Sequence, residues 1–180
     1  MIVENNTTKL TSLIKLLKRK QIMNTNASSV IMGDSSYNTA HMDAAFLLAK
    51  EALASGEVPV GCVMVSDQGS VIGRGRNTVN ETRNATRHAE INAVDTVEQH
   101  AAVTGEQSCS IYPRLSVYCN VEPCIMCAAA LARLWVAAVY YGCSNEKFGG
   151  CGSVGPNLLE GRVGVVKGGI RAQVSQLSPA

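Results

Sequence analysis

Leu115-Ser-Val-Tyr-Cys-Asn-Val121, Cys124-Ile-Met-Cys-Ala-Ala-Ala-Leu-Ala-Arg-Leu134 and Val136-Ala-Ala-Val-Tyr-Tyr141 follow one another with short joints between them. The first places Leu115, Val117, Cys119 and Val121 at every second position, the period of a strand. The second is rich in alanine and has no glycine or proline inside it, so it reads as a helix. Pro123, just before it, suits a helix start. The third is a short apolar run and reads as another strand. Strand, helix and strand in so short a span imply a right-handed parallel unit.

Working outward, Val58–Val65 and Ser70–Gly73 flank the turn Asp67-Gln-Gly69 and read as an antiparallel hairpin. Ala44, Ala45, Leu47, Leu48, Ala52 and Leu53 predict a first helix over 42–55, ended by Ser55-Gly56. Asn77–Arg87 is polar and reads as loop. Ile91, Ala93, Val94 and Val97 predict a helix over 88–98, with a further loop from Gln99 to Arg114. The expectation is a layered α/β domain, a mixed sheet flanked by helices. In open α/β sheets, sites gather where helices start beyond strand ends.

The whole chain has 180 residues, 46% hydrophobic and 17% charged, which suits one globular domain rather than a disordered chain. A formal net charge of +2 gives no molecule-wide attraction for nucleic acid. Lys9, Lys15, Lys18, Arg19 and Lys20 concentrate charge near the beginning, on a stretch, Leu10–Lys20, with the spacing of an amphipathic helix. That stretch suits a transit peptide or a solvated extension, and residues 24–40 read as polar linker. The expected organisation is a basic, then polar, disordered extension at 1–40, a folded domain at 41–154 and a Gly-rich tail at 155–180. Cys62, Cys109, Cys119, Cys143 and Cys151 read as reduced thiols, which suits cytoplasm or nucleus. No apolar run reaches the length of a membrane span, so no membrane partner is expected.

His88-Ala89-Glu90 and Pro123-Cys124-Ile125-Met126-Cys127 carry the chemistry. Cys-x-x-Cys alone also suits a redox pair or half of a structural zinc site. Joined to His88, it gives three ligands, the number that a catalytic zinc site uses while leaving a fourth position open. Glu90, two residues from the histidine, can move protons. His-x-Glu followed by Pro-Cys-x-x-Cys is the pattern of zinc-dependent nucleobase deaminases. Cys124 and Cys127, at i and i+3, lie on one face at a helix start, where the helix dipole favours thiolate.

Longer segments are more specific still. Glu57-Val-Pro-Val-Gly-Cys62, Gly73-Arg-Gly-Arg-Asn77, Asn84-Ala-Thr-Arg-His-Ala-Glu90, Val121-Glu-Pro-Cys-Ile-Met-Cys-Ala-Ala-Ala130 and Tyr141-Gly-Cys-Ser-Asn-Glu-Lys-Phe-Gly-Gly-Cys-Gly-Ser153 resemble the catalytic subunits of eukaryotic tRNA-specific adenosine deaminases. These belong to the cytidine-deaminase-like superfamily. The resemblance covers 57–154 and implies that superfamily's three-layer fold. It implies hydrolytic deamination of adenosine to inosine at the wobble position of tRNA anticodons, with Zn2+ as cofactor. It also implies two partners, the tRNA anticodon loop and a paralogous non-catalytic deaminase subunit in a heterodimer. Carried onto this sequence, His88, Cys124 and Cys127 hold zinc, Glu90 is the catalytic proton carrier, and Asn77 and Val58 contact the target nucleoside. Val58 also suits an ordinary core strand, and Asn77 a turn cap.

Two other readings stay open: a deaminase of a free base, nucleoside or nucleotide, and a non-catalytic zinc-stabilised subunit. Arg74, Arg76, Arg83 and Arg87 cluster in sequence near the motif and suit phosphate contacts or a solvated loop. After Val154 the resemblance stops. Glycines at 161, 164, 168 and 169 disfavour the helix the family has there, and Val163–Val166 suits a short strand. Loss of the family's segment predicts apolar surface left uncovered and a domain of low stability.

Overall fold

The computed structural model describes residues 37–167, and side chains as far as 164. The Leu10–Lys20 segment, the linker before Tyr37 and the end of the Gly-rich tail lie outside the described residues. Helix α1 spans Thr39–Ala54; Asn38 caps it, its side-chain oxygen accepting the Ala40 N–H at 2.9 Å. Strands β1 (Gly61–Val65) and β2 (Val71–Arg76) form the hairpin, followed by the short helix α2 (Val79–Thr82) and the long helix α3 (Ala89–Thr104). Helix α4 (Ser108–Ile111) leads through a 3-10 turn, Tyr112–Arg114, to strand β3 (Ser116–Val121). Helix α5 (Ile125–Leu134), strand β4 (Ala138–Cys143) and strand β5 (Val165–Lys167) complete the order.

The sheet runs β2-β1-β3-β4-β5. β1 is antiparallel to both β2 and β3, whereas β3, β4 and β5 are parallel. β1 is buried at every position, because both faces of the sheet are covered there. Cys62, Met64, Val117, Cys119 and Val139 pack on one face with Ala89, Ala93 and Val97 of α3 and Leu131 of α5. The other face carries Val63 and the Tyr118–Tyr140 stack, with ring centroids 4.8 Å apart. α1 packs on β1 and β3 there, burying Met42, Ala45, Phe46 and Ala49. Its backbone lies so close to β1 that a Cβ on Gly61 would overlap the Ala45 carbonyl. Only glycine allows that approach.

Several boundaries differ from the sequence expectations. α3 runs to Thr104 rather than stopping at 98, since Ala101 continues the Ala93–Val97 buried row and Gly105 supplies the left-handed cap at φ 74°. Gln99–Arg114 is therefore not a loop. Its second half is helical, anchored by buried Ile111 and Tyr112, whose hydroxyl donates to the Glu98 carboxylate at 2.7 Å. Asn77–Arg87 contains α2. The first strand starts at Gly61, not Val58, because Pro59 has no N–H for a ladder. The Asn120 side chain bridges the gap, accepting the Gly61 N–H and donating to the Pro59 carbonyl, each at 2.9 Å. The fourth strand is shifted to 138–143.

Beyond Val154 the chain stays on this core. Leu159 is fully buried and Val163 nearly so, both in the cluster that holds Leu131 and Val136. The short strand falls at Val165–Lys167 and pairs with β4, Ala138 opposite Val165. Of the cysteines expected to be buried thiols, Cys62, Cys119 and Cys151 are buried, Cys143 is half-buried and Cys109 is exposed. No described helix is long and apolar enough to cross a membrane.

Candidate metal centre and active site

Two helix starts converge at one point. His88 is the N-cap of α3 and Cys124 the N-cap of α5, both in extended backbone, and Cys127 lies in the first turn of α5. The His88 Nδ1 atom is 3.5 Å from the Cys124 sulfur and 3.6 Å from the Cys127 sulfur. All three donor atoms lie within 4.8 Å of one another. Zinc binds sulfur at about 2.3 Å and imidazole nitrogen at about 2.0–2.1 Å, so a tetrahedral angle puts N and S roughly 3.6 Å apart. The observed spacing has that value, and the set fits a three-ligand zinc site. The two helix N-termini favour the negative charge that thiolate ligands carry. Hydrogen bonds from the Cys127 thiol lower the Cys124 pKa to about 5, with the Cys127 N–H and the His88 charge adding to them. The same pairing with Cys124, and then burial, pushes Cys127 up.

Glu90, in the first turn of α3, is 3% exposed. Burial raises its pKa; its own backbone N–H and the Cys127 thiol oppose that rise. It lines a cavity of about 560 Å³, together with His88 and Cys124. Pockets of about 300–1,000 Å³ suit small ligands or one group of a larger one. The cavity wall is largely apolar.

Asn77 and Val58 also line this cavity. Val58 is 62% exposed, so it is not a core strand residue; Pro59 ends the strand before it. Asn77 is buried, and its side chain does not cap a turn. Its Nδ2 donates to the Glu57 Oε2 at 3.1 Å. Glu57 in turn accepts the Glu81 N–H at 2.8 Å, tying α2 to the cavity edge. Sequence reasoning did not single out Glu57, Glu122, Asn145 or Phe148, all of which line the cavity. The signal available for them was their place inside the family-like segments that carry Cys62, Cys124 and Cys151. None of the four arginines near the motif lines it. Arg76 pairs with Glu81 at 2.8 Å and Arg87 pairs with Asp95, while Arg74 and Arg83 are exposed.

Residues 35–143 match the family described as the cytidine and deoxycytidylate deaminase zinc-binding region. The chain belongs to this family. Within the family, it is 54% identical over 113 residues to tRNA-specific adenosine deaminase 2 of Xenopus tropicalis, covering 63% of this chain and 66% of that one. It is 42% identical over 130 residues to tRNA-specific adenosine deaminase subunit tad2 of Schizosaccharomyces pombe, covering 72% of this chain and 32% of that one. The matched stretch thus spans less than two thirds of these relatives. A solved structure from a study of A-to-I editing by tRNA deaminases at the wobble position of transfer RNA superposes with a TM-score of 0.64. That structure is 31% identical, with 74% of this chain and 94% of that chain covered. The mixed sheet with helices on both faces is this family's α/β fold. The family is zinc-binding, and His88, Cys124 and Cys127 are the described residues that gather as a ligand set.

Proposed function

We propose that the chain is a catalytic tRNA-specific adenosine deaminase subunit, converting wobble adenosine to inosine by hydrolysis. The observation that carries this reading is the acidic Glu90 beside a complete His88–Cys124–Cys127 set, opening into a cavity large enough for a base. Its relatives at 54% and 42% identity are named as tRNA-specific adenosine deaminases, and the matched structure at 31% identity comes from a study of editing at the wobble position. Zinc, when bound, supplies a Lewis acid that makes water a nucleophile near neutral pH. Glu90 takes the proton released as the water oxygen bonds to C6 of adenine. It gives that proton to the ring nitrogen, then carries the proton of the new C6 hydroxyl to the exocyclic nitrogen; the C6–N bond breaks, a C6 carbonyl forms and ammonia leaves. Asn77, held by Glu57, orients the nucleoside by hydrogen bonding. Val58 and Val60 supply an apolar wall to the base. Anticodon bases are unpaired, so the target enters with little unstacking cost.

The partners are the tRNA anticodon loop and a paralogous, non-catalytic deaminase subunit in a heterodimer. The word subunit in the fission-yeast relative's name supports the second. Reduced thiols throughout the described residues support a place in the cytoplasm or nucleus. The test is co-expression with the paralogous subunit, followed by inosine quantification on tRNA beside free adenosine and cytidine. Inosine in tRNA with no turnover of the free nucleosides is expected. Turnover of a free nucleoside with none on tRNA overturns the reading, and turnover of neither marks a non-catalytic subunit.

A further inference from the structure

Phe148 is the aromatic ring at the mouth of the cavity, and it is 62% exposed. Val58, Ile125 and Met126 line the same cavity and are exposed as well, so Phe148 belongs to an apolar rim of the kind that marks a ligand-binding site. It sits on a segment fastened directly to the metal-binding stretch. The Ile125 N–H donates to the Phe148 carbonyl at 2.8 Å, and the Gly150 N–H to the Pro123 carbonyl at 2.9 Å. Between them, Cys124 and Gly149 form an isolated antiparallel bridge.

One buried carboxylate secures the rest. Glu122 is 2% exposed and immediately precedes Pro123-Cys124. Its Oε2 accepts the Asn145 N–H at 2.9 Å and the Ser153 hydroxyl; its Oε1 accepts the Cys151 and Ser153 N–H groups at 2.9 and 3.3 Å. Four donors from both sides of Phe148 thus close on a single side chain. The approach is so tight that a Cβ on Gly149 would overlap the carboxylate. Hydrogen bonds to a carboxylate are stronger than those between neutral groups. The segment is therefore a fixed strap rather than an open loop, and it presents the Phe148 ring in one place.

We infer that Phe148 is a stacking platform for the nucleotide adjoining the target base, and that Glu122 is the positioning residue that holds it there. The inference rests on the RNA substrate proposed above. An unpaired base has an exposed π-face that aromatic side chains recognise without regard to sequence. A free nucleoside has no adjoining base to place there, so the contact selects polynucleotide over nucleoside.

The test uses the zinc-loaded chain with its paralogous subunit and an anticodon stem-loop. The stem-loop carries the fluorescent base 2-aminopurine beside the target adenosine. Binding to wild type is expected to change the 2-aminopurine emission by stacking. Phe148→Leu keeps apolar bulk without a π-face; it should lose that change and lower kcat/KM about 5- to 150-fold, the span for one base–aromatic stack. Phe148→Trp should restore both. Glu122→Gln keeps its size but turns an NH2 toward N–H donors; it should raise KM for the stem-loop and weaken the fluorescence change, with zinc content measured alongside. Deamination by wild type with an emission change that survives Phe148→Leu overturns the inference. So does a loss of activity that follows dissociation of the two subunits on gel filtration, since Phe148 then serves the protein interface. Absence of stem-loop deamination by wild type overturns the substrate reading instead.

Discussion

Leu159→Ala tests whether residues beyond 154 are part of the folded domain. Leu159 is fully buried in the cluster that also holds Leu131, Val136, Cys151 and Val163. Truncation removes three carbons from a packed site and leaves a cavity, at a cost of about 2–5 kcal/mol. A domain has about 5–15 kcal/mol in total. For a chain of this size, each kcal/mol moves Tm by about 2–4 °C, so a fall of about 4–20 °C is expected. The neighbouring Leu158 is 37% exposed and serves as the control; its alanine variant should lose less than about 1 kcal/mol. Thermal denaturation of zinc-loaded protein, followed by circular dichroism, measures both. Equal midpoints for the two variants would refute the packing argument. They would restore the expectation that the Gly-rich stretch leaves the sheet surface uncovered.

Three further outcomes follow from the geometry. Cys124→Ser or Cys127→Ser should lose zinc by elemental analysis and lower stability as well, because metal binding is coupled to folding; a well-folded, zinc-free wild type with a Cys124–Cys127 disulfide would contradict this. Glu57→Ala removes the acceptor that orients Asn77, and a hydrogen bond to a charged group is worth about 1.5–3 kcal/mol, so kcat/KM should fall tenfold or more with zinc retained. Hydrogen bonds from Ser108 and then Tyr112 lower the Glu98 pKa. The stability this contributes is present above the usual glutamate pKa of about 4.3 and is lost as pH falls through the lower folded value. Ser108→Ala should therefore flatten the acid limb of a stability–pH curve, and an unaltered limb would count against it.

The parallel unit was legible because its signals are local: alternation in Leu115–Val121, an unbroken alanine run and a short apolar strand. The metal ligands were legible for a similar reason. Spacing i, i+3 at a helix start places Cys124 and Cys127 together, and the second helix start at His88 has its own apolar period. The part of the cavity wall that Asn145 and Phe148 form was not legible. Asn145 and Phe148 reach it through the Glu122 carboxylate, a contact between segments more than twenty residues apart that no periodicity announces. Asn120 replaces a strand ladder with its side chain, which hides the true start of β1 from a pattern of apolar residues. The length of α3 was masked by Gln99 and His100, which look like loop residues, although Ala101 continues the buried row. Val58 suited both a pocket wall and a strand core in sequence, and it lies exposed on the cavity wall.

The most direct measurement of the central claim is inosine formation in tRNA by Glu90→Ala beside wild type, each with the paralogous subunit and each with zinc content measured on the same sample. Glu90 is not among the three ligands, so the variant should keep one zinc per chain and the wild-type fold. Proton transfer by a positioned side chain contributes about 10²–10⁴-fold, and inosine formation should fall by at least that factor. Turnover within a few-fold of wild type, at equal zinc content, would contradict the account.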